Sequence, residues 1–272
     1  MVLALDIGNS SVALGIYDGK GRLVLDSKMS SKQSRLSDEY AVILSGIFAI
    51  HNIIPSDIDG VIISSVVPPL TGVIEAAVKR LVKSDITPMI VGPGIKTGLN
   101  IKIDHHTQLG SDIVANITAA FAHTQPPFAV IDMGSATTIT VVNVKSELCG
   151  VIIVPGVKES LDSLSQTAAE LPCIALERPK QFLARNTVDS MKCGVIYGNT
   201  FMINGFLYRI TNELGLESTE SLNVIATGGL AECIIPNCDE RFNIKLVPTL
   251  TLDGLYKLYV KNRTESSKHH SI

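Results

Sequence analysis

Tryptophan is absent from the 272 residues, aromatic side chains make up only 5%, and the five cysteines are scattered. Cys149, Cys173, Cys193, Cys233 and Cys238 are odd in number, and none forms a C-x-x-C pair. Cys233 and Cys238 have no accompanying histidine cluster. A disulfide framework and a zinc site are therefore not expected, and a reduced intracellular chain is. Basic charge is not in excess either. Lys and Arg number 23 against 26 Asp and Glu, a net charge of −3, and the basic residues are dispersed. No nucleic-acid footprint results. No apolar run reaches the roughly 20 residues of a membrane-spanning helix. The sequence starts on strand-like Val2-Leu3-Ala4-Leu5 without the basic segment and long apolar stretch of a secretion signal. A cytoplasmic protein with no membrane partner is expected.

What is abundant is apolar material, 46% of the chain, enough for a substantial core without staples. The length suits one large domain or two lobes. An internal repeat favours two. Residues 3–16 read LALDIGNSSVALGI and residues 129–142 read AVIDMGSATTITVV. Each is an apolar strand ending in Asp-x-Gly, a polar turn, and a second β-rich strand. The offset of about 126 is nearly half the chain, the mark of a duplicated unit.

The pattern has a chemical sense. Glycine in the turn lets main chain approach a ligand closely. Hydroxyls of Ser10, Ser11, Ser135 and Thr138, with turn amides, can donate to phosphate oxygens, and a carboxylate at the strand end can hold a cation or its water shell. A single copy reads equally as a capped hairpin; two matched copies favour the phosphate reading.

Further β-rich runs fall at 61–67, 88–91, 151–154 and 222–226, with helical patterns near 37–52, 70–82, 109–123, 157–170, 189–214 and 250–261. Hairpins followed by alternating strands and helices predict an α/β fold with mixed sheets covered on both faces. A break at His123–Pro127 sets the expected lobes at 1–124 and 125–262, with a flexible tail over 263–272.

Several stretches together resemble the type III pantothenate kinases of the actin-like and sugar-kinase-like ATPase superfamily. They are DIGNS (6–10), VGPGIKTGLNI (91–101), LGSD (109–112), DMGSATT (132–138), GVIIVPG (150–156), NT (186–187), TGG (227–229) and LTLDGL (250–255), in the family's order and spacing. The resemblance implies two duplicated ribonuclease-H-like lobes that bind ATP between them. It also implies transfer of the γ-phosphoryl group to pantothenate, opening coenzyme A synthesis. Asp6, Ile7, Gly8, Asn9, Ser10, Ser11, Val12 and Ala13 would form the first phosphate-binding turn, with Ser135 in the second and Gly228-Gly229 near the nucleoside. Asp112 would be the catalytic carboxylate, while Gly110, Ser111, Ile113 and Thr187 would line the pantothenate site. Asp132 would help hold a monovalent cation, K⁺ or NH4⁺; Mg²⁺ would accompany ATP, with Asp6 reaching it through water. A homodimer is implied too, and the apolar 189–214 segment offers surface for one.

Asp112 suits a base on its own account. It falls in the first turn of a predicted helix, where a negative charge is favoured, although a plain capping aspartate would sit there too. Phosphoryl transfer needs little more than alignment, charge neutralisation and a base near the nucleophile. The departures from the family cluster near this residue. The usual Gly-Ala-Asp-Arg reads Gly110-Ser111-Asp112-Ile113, and the usual Tyr and Asn-Pro give way to Ile103, Asp104, His105 and His106. An isoleucine has no donors to replace a guanidinium, and losing a charged partner at a bound anion costs about 2–5 kcal/mol. Arg185 and Lys96 are candidates to restore the charge; His105 and His106 are new acceptor contacts or plain loop residues. Two competing readings stay open: a same-fold kinase for another small hydroxyl compound, and a nucleotide-binding regulatory homologue without catalysis.

Overall fold

The computed structural model describes residues 1–105 and 109–269, with side chains as far as residue 263. The chain divides into two compact units. The first takes in Met1–Gly98, His105–Ala120 and the chain from Thr249 onward; the second takes in Leu99–Asp104 and Phe121–Pro248.

In the first unit, β1 (Val2–Ile7), β2 (Ser11–Tyr17), β3 (Leu23–Ser30), α1 (Ser37–Ile50), β4 (Gly60–Ser65), α2 (Pro68–Lys79), β5 (Met89–Ile90) and α3 (Ser111–Ala120) follow in order, and α7 (Leu250–His269) joins them. The sheet order is β3-β2-β1-β4-β5, antiparallel among β1, β2 and β3 and parallel from β1 through β5. The pleat sends alternate residues to opposite faces. Leu3, Leu5, Ile7, Leu14 and Ile16 therefore meet Tyr40, Leu44, Phe48, Leu70 and Ile74 of α1 and α2 in one buried core. α7 packs against β1, β2 and β4. Both faces of the sheet are covered, as its near-continuous apolar strands require.

In the second unit, β6 (Asn100–Ile101), β7 (Phe128–Met133), β8 (Ala136–Val142), β9 (Glu147–Pro155), α4 (Val157–Thr167), α5 (Thr187–Glu213), β10 (Asn223–Thr227), α6 (Ala231–Ile234) and β11 (Lys245–Leu246) give the order β11-β10-β7-β8-β9-β6. Without β6 this is the first sheet over again: β9-β8-β7-β10-β11 repeats β3-β2-β1-β4-β5, with the same strand senses. The repetition extends to single residues. Along β1 and β7 the same positions are buried and half-buried, and β2 and β8 match likewise. The second turn is one residue shorter, because Ile7 pairs with Val12 whereas Met133 pairs with Thr137.

Most expected elements are present within a few residues. α2 starts at Pro68 rather than 70, since proline at the first helical position gives up no hydrogen bond. α7 continues to His269, past the expected end at 261. β3 was not anticipated: Asp26 and Lys28 break its apolar pattern, and only Leu25 and Met29 are buried.

Candidate active site

Three structures in the first unit converge at the carboxyl ends of its strands. β1 delivers Asp6 to the first turn, which closes when the Gly8 N–H donates to the Ser11 carbonyl at 3.0 Å. Asn9, Ser10 and Ser11 are exposed there, while Val12 is buried and anchors the returning strand. β4 runs alongside, and its register sets Ser64 opposite Asp6 and Ser65 opposite Ile7. The third element is α3, whose first turn carries Asp112.

α3 is apolar almost all round, with Ile113 through Ile117, Ala119 and Ala120 buried, as befits a helix enclosed on several sides. Its first helical bond runs from Val114 N–H to the Gly110 carbonyl at 3.2 Å. A side chain at Gly110 would overlap the Asp112 carboxylate, so glycine there leaves room for the acid to fold back over the helix start. Asp112 Oδ1 accepts the Ile113 N–H at 2.8 Å. Burial raises the Asp112 pKa above the ordinary carboxylate value, and the amide donors of Ile113 and Asp112 itself only partly offset this. A carboxylate held in a sheltered site with an elevated pKa has the character of a general base.

The second unit builds a matching turn. Asp132 ends β7 in a half-buried position, and the Gly134 N–H donates to the Ala136 carbonyl at 3.2 Å. Gly228 lies directly behind, with φ +94°, and a β-carbon on it would stand 2.5 Å from the Met133 nitrogen. Only glycine combines that backbone with so close an approach. The Gly228 of the sequence signal Thr227-Gly228-Gly229 is thus explained: it packs against Met133, beside the Asp132 turn. The Gly134 carbonyl and Glu159 Oε2 also converge, 2.6 and 2.5 Å from where a β-carbon of Gly156 would be. Among the described residues, Glu159 Oε2 and Thr137 Oγ1 are buried without hydrogen-bond partners.

Thr187 occupies a separate element. It is the exposed first residue of α5, whose cap is made by the Asn186 side chain accepting the Asp189 N–H at 2.9 Å. Arg185 is exposed just before it. Ile113 is only 6% exposed. His105 is exposed, and His106 lies outside the described residues. Ser64, Ser65 and Thr71 were overlooked in the sequence, although two serines inside an otherwise apolar strand were a usable signal. All five cysteines are unpaired, and no helix among the described residues is long and apolar enough to cross a membrane.

The donor set bears on the metal question. Among the described residues no three or more His, Cys, Asp or Glu side chains cluster as a metal cage. Each turn instead offers one carboxylate, Asp6 or Asp132, with hydroxyls of Ser10, Ser11 or Ser135. That all-oxygen set fits Mg²⁺ carried on phosphates, which keeps waters and takes one or two protein carboxylates.

Duplicated sheets of this order, each with an Asp-x-Gly turn at its strand ends, make an α/β fold that recurs in solved structures. A solved activator of 2-hydroxyisocaproyl-CoA dehydratase from Clostridium difficile, with bound ADPNP, shares the fold: TM-score 0.57, 13% identity, covering 99% of this chain and 96% of that one. A family model described as type III pantothenate kinase matches residues 2–209. A type III pantothenate kinase from Pelobacter propionicus is 43% identical over 263 residues, 97% of this chain and all of the relative. One from Geobacter sulfurreducens is 42% identical over 264 residues with the same coverage. The chain belongs to the type III pantothenate kinase family.

Proposed function

We propose that this chain transfers the γ-phosphoryl group of ATP to the primary hydroxyl of pantothenate, yielding 4′-phosphopantothenate and ADP, the first step of coenzyme A synthesis. One observation carries the reading: a half-buried carboxylate, Asp112, stands at the head of α3, which Ser111 ties to the strand bordering the Asp6 turn. Asp112 accepts the proton of the attacking hydroxyl. The turn Asp6 to Ala13 and Ser135 hold ATP phosphates, and Gly228-Gly229 gives room to the nucleoside. Mg²⁺ would supply neutralising charge on the phosphates, and Asp6 would hold it through water. Asp132 holds a monovalent cation such as K⁺, a role supported by the oxygen-rich surroundings of its turn. Gly110, Ser111, Ile113 and Thr187 border pantothenate. We read the chain as a cytoplasmic homodimer; free thiols suit that compartment.

The test is pantothenate-dependent ADP release, run in K⁺ and again in Na⁺. Asp112→Asn is expected to lower kcat at least a hundredfold, the scale of a lost general base, while ATP still binds. Full turnover of that variant would remove Asp112 from its role. A second reading has one observation in its favour: Ile113, where the family usually has arginine, is buried and offers the acceptor's carboxylate nothing. Turnover with another small hydroxyl compound, and none with pantothenate, would favour it.

A further inference from the structure

The start of α3 is tied to β4 by a single hydroxyl. Ser111 Oγ lies 2.8 Å from Ser64 Oγ, accepts the Ser65 N–H at 3.0 Å, and donates to the Ser65 carbonyl at 3.2 Å. With its own proton on that carbonyl, Ser111 must accept from Ser64, and one donor plus two lone pairs are then fully used. Ser64 is completely buried, so its hydroxyl has no water to turn to. The next link extends the chain. Ser65 Oγ accepts from the Val67 N–H at 3.1 Å and from Thr71 Oγ1 at 2.8 Å, which pins the entry to α2. Ser64 and Ser65 are also the register partners of Asp6 and Ile7, and the Val66 N–H donates to the Ile7 carbonyl at 3.0 Å. One chain of bonds therefore runs from the first turn, across the end of β4, to the residue that precedes Asp112.

We infer that Ser111, with Ser64 as its buried partner, is a positioning residue that fixes the Asp112 carboxylate relative to the Asp6 turn. The inference rests on the kinase reading above and deepens it. The Ser111 hydroxyl is used up in these three bonds, so it acts through Asp112, and residue 111 can border pantothenate only through its main chain. The bonds of the two serines set where the first turn of α3 begins, and a carboxylate one residue along moves with that turn. An alanine at 111 removes all three bonds at once and leaves the Ser64 hydroxyl buried without its partner.

The experiment measures kcat and both KM values for Ser111→Ala, Ser64→Ala, Ser111→Thr and the 64/111 double alanine variant, beside Asp112→Asn. Ser111→Ala is expected to lose about tenfold in kcat with KM for ATP unchanged, since a misplacement of about 1 Å can cost a hundredfold and the shift here is smaller. Ser64→Ala should lose less, and the double variant should lose less than the product of the two, because they share one bond. Ser111→Thr, which keeps the hydroxyl, should stay within about twofold of the parent, a rescue that mere packing at this position would not give. If Ser111→Ala does not melt cooperatively, Ser64→Ala is read instead; it leaves both bonds of Ser111 to Ser65 intact. Parental kcat in both alanine variants, with Asp112→Asn silent, overturns the inference while leaving the kinase reading standing. Full turnover by Asp112→Asn overturns the base assignment, and the positioning role falls with it.

Discussion

Asp112 is held in a state that favours its proton, and this has opposite consequences for stability and for activity. Burial raises its folded pKa above that of the unfolded chain. The folded protein therefore binds this proton more tightly, so the associated stability is present below the ordinary aspartate value of about 3.9 and is lost as pH rises through the folded pKa. At neutral pH the ionised carboxylate is a burden on the fold. Asp112→Asn should raise the melting temperature at pH 7–8, because the amide carries no charge to be desolvated on folding. The gain should vanish toward pH 4, which differential scanning calorimetry across pH will show. A base must be ionised to work, so the acidic limb of kcat/KM should lie above pH 4 and track the same group. A limb at or below pH 4 would contradict the sheltered geometry.

Among the elements, the seam between α3 and α7 is a second support of the helix that carries Asp112. Gly254 of α7 presses so closely on α3 that a methyl group would overlap the Ala115 carbonyl, and Thr251 Oγ1 donates to the buried Asn116 Oδ1 at 2.7 Å. Gly254→Ala must push the helices apart. An overpacking cost of about 1–3 kcal/mol is expected in urea unfolding, together with reduced kcat as α3 shifts with Asp112. Gly72→Ala is the contrasting change: at this exposed position on α2 no atom lies within 4 Å of the new carbon, and the helix should gain up to about 1 kcal/mol. Equal effects of the two substitutions would mean that the seam is not tight.

The same seam shows what the sequence made legible. Paired apolar strands ending in Asp-x-Gly disclosed both hairpins, because buried strands and tight turns are written locally. Gly254 was visible only as part of a family motif, since its neighbour Ala115 lies far away in sequence. The serine chain at 64, 65 and 111 escaped for the same reason: hydroxyl partners are set by the parallel register of β1 and β4 and by the landing point of α3. β3 was missed on different grounds, as a half-exposed edge strand carries charges that hide its period.

For the whole molecule, the duplicated sheets explain how a chain poor in aromatics builds two cores of aliphatic residues. Against that economy, one group of aromatics stands out on the surface. Phe182 and Phe201 are 54% and 58% exposed, and their rings gather with Tyr197 at centroid distances of 5.0 to 6.4 Å; Leu183 beside them is 80% exposed. Phe201 points outward from α5 while Ile196, Ile203 and Leu207 of the same helix fill the core, so packing within the unit does not account for it. Exposed apolar patches of this kind mark association sites, and a second copy of the chain is the partner the kinase reading supplies. Light scattering during gel filtration should give twice the 29.1 kDa chain mass at micromolar concentration. Phe201→Asp, placing a charge within the patch, should shift the mass to that of a single chain without lowering the melting temperature of the isolated fold. A parent protein that already runs as a monomer would refute the dimer, and a dimer untouched by Phe201→Asp would move the interface elsewhere.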